Sequence, residues 1–436
     1  MAVGPARRGK DDFQTVIADV QDGTISEESF WVSCYKQDYE SVHGQVRVRQ
    51  KQGIIDSTGS HRVDLIPDKI EFKKDEQNVY FVVACPPLFI PPTKLRVPRQ
   101  VIGEQNQKRF IDFLYQPNEF TAFDVAPDAS IYATGDHNGN VSVCSTSGTS
   151  SKLKSAVHVS TILSLRFFPS SKVILTAGND FSLAIVSAED LSVPRKLKGH
   201  TRAVTDCGII SRGRNILSCS KDGTFRLWDV GSGTQIRAFN SHNYSPVHKM
   251  ALGIKDIDPI LAPPDGERTV EPLPPFIDPR EVETDDKVAF GALNNGTFEA
   301  FDLRTKSSFF HFEPSSSTGN SPLESLAYSS SDHMLATGSR LGTISIYDTR
   351  QMSEKLFAFH RNSSSIEDMV FLPSSNNEVR LGIASTDGLP FVTSIRPEGP
   401  QIVEELVGYN CDAVRSIRAV NGGIWTAGDD GLVRRY

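Results

Sequence analysis

Residues 199–229 read GHTRAVTDCGIISRGRNILSCSKDGTFRLWD. Three runs within them, 204–209, 215–220 and 224–228, alternate apolar and polar residues between turn signals. A period of two marks strands half buried on a sheet, and runs this closely spaced pair antiparallel. Asp222-Gly223 supplies the tight turn between the second and third runs. The backbone there needs positive φ, and glycine has no Cβ to obstruct it.

With Gly-His at its start, Lys-Asp-Gly-Thr in its turn and Trp-Asp at its close, the stretch resembles a complete WD repeat. The resemblance implies that His200, a strand serine, Asp222 and Trp228 hydrogen-bond in series and staple a strand to its neighbouring loop. Spacing makes the serine Ser218 or Ser220. This is an architectural role and not a catalytic one.

Outward from this unit, the same turn recurs at Gly139, Phe181, Gly223, Gly296, Gly342, Gly388 and Gly431, with gaps of 42, 42, 73, 46, 46 and 43 residues. Five of the six gaps fit a repeat of about 40–45 residues. The long one holds 255–286, a segment with seven prolines and ten acids against three bases, expected to stay solvated as an insertion in the fourth unit. Within it 270–277, VEPLPPFI, has the composition of a polyproline-type ligand. The expected fold is all-β: a seven-bladed WD-repeat β-propeller over 108–436, preceded in 1–107 by a small β-rich or α+β module and a proline-rich linker. Residues 19–34 and 41–55 of the module alternate like strands. The five prolines of 85–99 read as an extended linker. The seventh unit reaches Tyr436 inside its third strand, so 108–116, KRFIDFLYQ, is expected to supply the missing outer strand and close the ring.

The 436 residues carry a net charge of −7, a balance opposed to phosphate-backbone binding, so no nucleic-acid partner is expected. No run reaches the ~18 apolar residues of a membrane span, and MAVGPARRGKDDF lacks the apolar core of a signal peptide. The six cysteines show neither CxxC pairing nor even spacing, which points to reduced thiols and a cytoplasmic and nuclear location. Phosphate-loop, HExxH, GxSxG and EF-hand patterns are absent. His242 and His248 have no acidic or cysteine partner nearby in sequence and read as loop residues. Asp136-His137-Asn138 reads as turn chemistry, and Arg434-Arg435-Tyr436 as part of a strand. The chain is expected to use no cofactor, metal or catalytic residue.

What remains is a stiff disc whose turns and loops present side chains on one face, the usual place for binding residues on a rigid scaffold. The face is expected to include Asp136, Asn138, Asp180, Asn294, Glu324, Arg340, Asp368, Asp387, Asp429 and Asp430. Acids outnumber bases there, which suggests a basic partner and salt-sensitive association.

A narrower resemblance rests on FFPSSKVILTAGNDFSLAIVSAEDLS, from residue 167, and LKGHTRAVTDCGIISRGRNILSCSKDGTFRLWDVGSGTQIRAF, ending at residue 239. Together they resemble the second and third repeats of the proteasomal ATPase-associated factor family, most specifically in SAED and in SRGRN followed by SxSxDGT. The resemblance implies an assembly chaperone for the base of the proteasome regulatory particle, monomeric when free. It would bind the C-terminal domain of an ATPase subunit and delay docking on the core particle by occlusion. A substrate adaptor of a ubiquitin ligase, or another multiprotein scaffold, is the alternative.

Overall fold

The structure is a computed structural model. It describes residues 2–5, 13–35, 39–55, 60–75, 80–103, 120–147, 153–254, 278–304, 307–312, 321–375, 378–409 and 412–436.

The stretch around Gly223 folds as its alternation dictates. Val204–Ile210, Asn215–Ser220, Thr224–Asp229 and Thr234–Asn240 form one antiparallel sheet in sequence order, blade three. Gly223 has φ +76°, and a Cβ there would lie 2.5 Å from the Tyr244 carbonyl oxygen. Seven such four-stranded units occur among the described residues. Their innermost strands are Phe120–Val125, Ile162–Phe167, Val204–Ile210, Val247–Ile254, Leu323–Ser329, Ile366–Ser375 and Val414–Val420. Each contacts the next, and the seventh returns to the first, closing a ring.

Each blade is apolar on both faces because it has a neighbour on either side. The core therefore splits into seven inter-blade clusters. The cluster that closes the ring packs Trp425, Ala427 and Val433 of blade seven on Phe123, Val125 and Tyr132 of blade one.

The closing strand differs from the expected one. Gln100–Ile102 pairs antiparallel with Val433–Arg435 and completes blade seven. The Gln100 amide donates to the Thr146 carbonyl of blade one, 2.7 Å away. Residues 108–116 lie outside the described residues, and the propeller takes a strand from upstream of residue 108. Alternation shows that a segment suits an edge but does not say which edge it meets.

The proline-rich stretch also departs from expectation. Ile90–Arg96 is a strand, antiparallel to Tyr80–Cys85 and parallel to Glu404–Leu406 of blade six. Pro91 and Pro92 fall where the ladder with Tyr80–Cys85 shifts register, so their missing donors interrupt no regular pairing. Blade six thus continues as one seven-stranded sheet into the N-terminal module. The rest of the module is a sheet of Ala2–Pro5, Glu27–Tyr35, Val42–Ile55 and His61–Pro67 and a helix, Phe13–Gln21. The helix takes up the start of the 19–34 run read as strand-like. It buries Phe13, Val16, Ile17 and Val20, the spacing of one helical face. Phe13 meets Phe30, Phe72 and Phe81 at ring separations of 5.3–6.0 Å.

The described end of the insertion, 278–286, is tied to blade three. Asn215 donates to the Arg280 carbonyl at 3.0 Å and accepts from the Val282 amide at 2.6 Å. Glu281 pairs with Arg237 at 3.4 Å, so part of the acidic charge is used internally. Residues 255–277, including VEPLPPFI, lie outside the described residues.

Candidate partner-binding face

In blade three the staple is a relay of donors. Trp228 Nε1 donates to Ser218 Oγ at 2.9 Å, Ser218 lies 2.8 Å from His200 Nε2, and His200 Nδ1 lies 2.9 Å from Asp222 Oδ2. Asp222 also accepts the Thr201 and Thr224 amides at 3.0 Å each. Ser220 is outside the relay: its hydroxyl donates to the Arg202 carbonyl and accepts the Asp222 amide. Burial lowers the His200 pKa and outweighs Asp222. The ring is therefore neutral, donating from Nδ1 and accepting the Ser218 proton at Nε2.

Two further staples carry no sequence signature of Gly-His and Trp-Asp. In blade two His158 Nδ1 meets Asp180 at 2.8 Å and Nε2 meets Thr176 at 2.9 Å, while buried Val186 stands at the tryptophan position. In blade seven the Tyr409 hydroxyl bonds Thr426 at 2.7 Å. The Arg434 guanidinium lies 3.8 Å above the Tyr409 ring and 2.5 Å from Asp430. The 22-residue interval from His158 to Asp180, equal to that from His200 to Asp222, was the legible signal for the first. The exchange of imidazole for phenol left none for the second.

These staples, with backbone bonds such as Asn179 to Thr161, Lys221 to Ala203, Asn294 to Pro246, Arg340 to Pro322, Thr386 to Ser365 and Asp429 to Ala413, hold the second-to-third-strand turns of blades two to seven against the loops leading into their first strands. Turns and loops thus form one face. The acids expected to give it charge are bound within it. Buried Asp136 accepts the amides of Asn138 and Asn140 at 2.9 Å and pairs with Lys154 at 3.1 Å. Asp180 serves His158. Asp387 takes the Ser385 hydroxyl at 2.6 Å and the Asn362 amide at 2.5 Å. Asp429 is bonded by Arg415 at 2.7 and 2.9 Å, and Asp430 by Arg434. Glu324 meets His248 at 2.8 Å and Arg340 Nε at 2.7 Å. Burial alone would raise the Glu324 carboxyl, but His248 and Arg340 hold it below the usual range. The face acids are thus tied into its turns, each carboxylate organising the amides around it; Asp136, Asp429, Asp430 and Glu324 also meet cationic side chains, whereas Asp180 and Asp387 bond neutral partners and keep their charge.

Asp368 is not on the face. It lines the central channel with Asp124, Asp206, Arg166, Lys249 and Arg418, three acids against three bases. Arg418 pairs with Asp368 and, at 3.1 Å, with Asp124; Arg166 lies 3.7 Å from Asp206. The acids also accept backbone amides of the following blade, Asp124 from Phe167, Asp206 from Met250 and Asp368 from Ile417. Burial alone would raise Asp206 and Asp368, but Lys249 and Arg166 hold the first below the usual range and Arg418 leads in holding down the second. Burial and Asp206 push the neighbouring Cys207 thiol up to about 12, which keeps it protonated and a poor nucleophile.

Exposed on the face are Asn138 and Asn294, the basic side chains Arg202, Lys221 and Arg340, and four large apolar residues. Val159 is 87% exposed, Tyr244 63%, Leu341 61% and Phe181 47%. Phe181 occupies the turn position that glycine holds in the other six blades and has φ +67°. Holding a bulky residue there costs roughly 1–2 kcal/mol, so this side chain is kept against local preference. None of the four was singled out by sequence as a contact residue. An apolar residue in a turn announces nothing until the fold shows that no core covers it.

The ring of sheets with stapled turns makes the chain a WD-repeat β-propeller. The family model of the WD domain, G-beta repeat, matches residues 192–229 and 313–348. The chain is 42% identical over 137 residues to the 26S proteasome regulatory subunit RPN14 of Saccharomyces cerevisiae, which covers 31% of this chain and 33% of that protein. It is 26% identical over 165 residues to the probable proteasomal ATPase-associated factor 1 of Dictyostelium discoideum, 37% of this chain and 38% of that one. Over 239 residues it is 25% identical to the WD repeat-containing protein 91 homolog of the same organism, 50% of this chain and 30% of that one. The matches span about a third of each relative's length.

Proposed function

We propose that the chain is a non-catalytic, protein-binding propeller that acts as an assembly chaperone for the base of the proteasome regulatory particle. It binds the C-terminal domain of an ATPase subunit and delays docking on the core particle, working in the cytoplasm and nucleus. The observation that carries this reading is the 42% identity to a proteasome regulatory subunit, with a proteasomal ATPase-associated factor matched alongside it. The geometry supports it with a stiff face whose acids are internally bound and whose exposed apolar side chains are available to a partner. Contact is apolar at Val159, Phe181, Tyr244 and Leu341 and polar around them, the arrangement of anchors inside a hydrated rim.

The test is affinity purification of the full chain from cells, followed by binding to the ATPase subunit recovered. Free ATPase subunits without core-particle peptidase activity support the reading. Recovery of the mature cylinder, or of a ubiquitin ligase in place of the ATPase, overturns it. Phe181→Gly relieves the positive φ and so leaves the fold intact, yet lowers affinity by at least about tenfold, or about 1.4 kcal/mol. Unchanged affinity in that variant moves the contact off this face.

A further inference from the structure

Blade four breaks the staple pattern in a way that frees a histidine. His242 leads into blade four as His200 leads into blade three, yet each partner in the relay has been replaced. The registers of the two blades set Gly291 where Ser218 stands and Phe301 where Trp228 stands, and Asn295 precedes the turn glycine where Asp222 does in blade three. The space beside Gly291 is filled by the Phe225 ring, whose nearest atom would lie 2.3 Å from an added Cβ. His242 therefore has no niche in the sheet and stands exposed on the loop.

It stands beside two other donor-bearing side chains. Its ring is stacked on that of His311, at the end of Ser307–His311, with centroids 4.6 Å apart. Its backbone amide donates to Glu299 Oε1 at 2.7 Å. Glu299 is 1% exposed, occupies the position of Arg226, and has Oε1 3.0 Å from His311 Nδ1. The second oxygen, Oε2, is buried and has no hydrogen-bond partner among the described residues. A buried carboxylate oxygen with an open lone pair is costly unless something positive meets it.

The geometry points to a site for a divalent transition-metal ion of the zinc class, bound by His242, Glu299 and His311. Two imidazoles and one carboxylate are the mixed nitrogen and oxygen set that zinc takes with a fourth position open. Ligand atoms from the three residues all lie within 4.8 Å of one another. Bonds of about 2.0–2.2 Å to one tetrahedral ion place ligand atoms roughly 3.3 Å apart, so closure needs a turn of an ångström or two. Exposed His242 is able to make it. With three protein ligands the fourth position is left for a water or for a donor from a bound protein. The inference is independent of the proteasome reading, since it concerns this chain and a metal ion alone.

The test uses the full chain freed of metal by a chelator and titrated with zinc sulfate against a chromophoric competitor. One site is expected. His242→Ala and His311→Ala should each weaken it by at least about tenfold, while His360→Ala, at an exposed histidine of blade five, leaves it unchanged. Thermal melts should show that His242→Ala, a change at an exposed residue, keeps the fold. Glu299→Gln keeps side-chain volume and should also weaken binding. In histidine-labelled protein, zinc should shift the ring resonances of His242 and His311. Binding no tighter than about 1 mM, or tight binding indifferent to both histidine changes, overturns the assignment, as do unmoved ring resonances.

Discussion

At the residue scale, the staple histidines are neutral donors locked among acids, and this has a pH consequence. Burial, the largest cause, lowers the pKa of both His158 and His200 below the ordinary value near 6.5, despite Asp180 and Asp222. The unfolded chain then binds protons that the folded chain refuses. The stability these rings contribute is complete above about pH 6.5 and is lost as pH falls through the folded values. Urea midpoints should therefore drop between pH 7 and pH 5. The His158→Asn, His200→Asn double variant should be less stable at pH 7 and show a shallower drop, because Asn keeps a donor for the aspartate but does not titrate. An equal slope in both proteins would assign the acid sensitivity to other groups.

At the element scale, Gln100–Ile102 is a three-residue strand with a large consequence, because it covers the edge of Val433–Arg435. Exposed edges recruit other chains. Replacing residues 100–102 by Gly-Ser-Gly at constant length removes the strand propensity and the contact of Ile102 with the closing cluster. The melting temperature should fall by about 1–2 °C, the shift that a loss of about 1–2 kcal/mol from the lost side chains gives in a chain of this size, and light scattering should rise on heating. An unaltered melt would mean that the ring is held shut by side-chain packing between blades one and seven alone. The parallel pairing of Ile90–Arg96 with Glu404–Leu406 acts on the same scale. It makes the N-terminal module an outgrowth of blade six.

At the scale of the whole molecule, the hub joins blades distant in sequence through charge. Arg418 serves Asp124, 294 residues away, and Asp368, 50 residues away. Arg418→Leu leaves two largely buried carboxylates without their main counter-ion, and loss of one partner of a buried pair costs about 3–5 kcal/mol. Urea unfolding of this variant should show that loss, with Arg418→Lys intermediate because lysine keeps charge without the fork geometry. Full stability in Arg418→Leu would show that solvent in the channel screens these acids.

What the sequence determined by itself was the repeating unit: strand alternation, Asp-Gly turns and their spacing are local, and local chemistry repeats visibly. It therefore announced the seven sheets and the set His200, Asp222 and Trp228, and it narrowed the serine to two. Tertiary structure alone decided which residues meet across long intervals. It chose Ser218 by register, Gln100–Ile102 as the closing strand by proximity, and His158 and Tyr409 as substitutes in staples whose motif had decayed. It also decided which carboxylates meet a cation. Asp136, Asp180, Asp429 and Asp430 read alike because a turn and a binding face favour the same residue types, and only the tertiary structure sets Lys154, Arg415 and Arg434 beside three of them and a neutral imidazole beside Asp180. His242 beside Glu299 and His311 belongs to the same class, three residues spread over 70 positions that the curl of one blade brings to a single point.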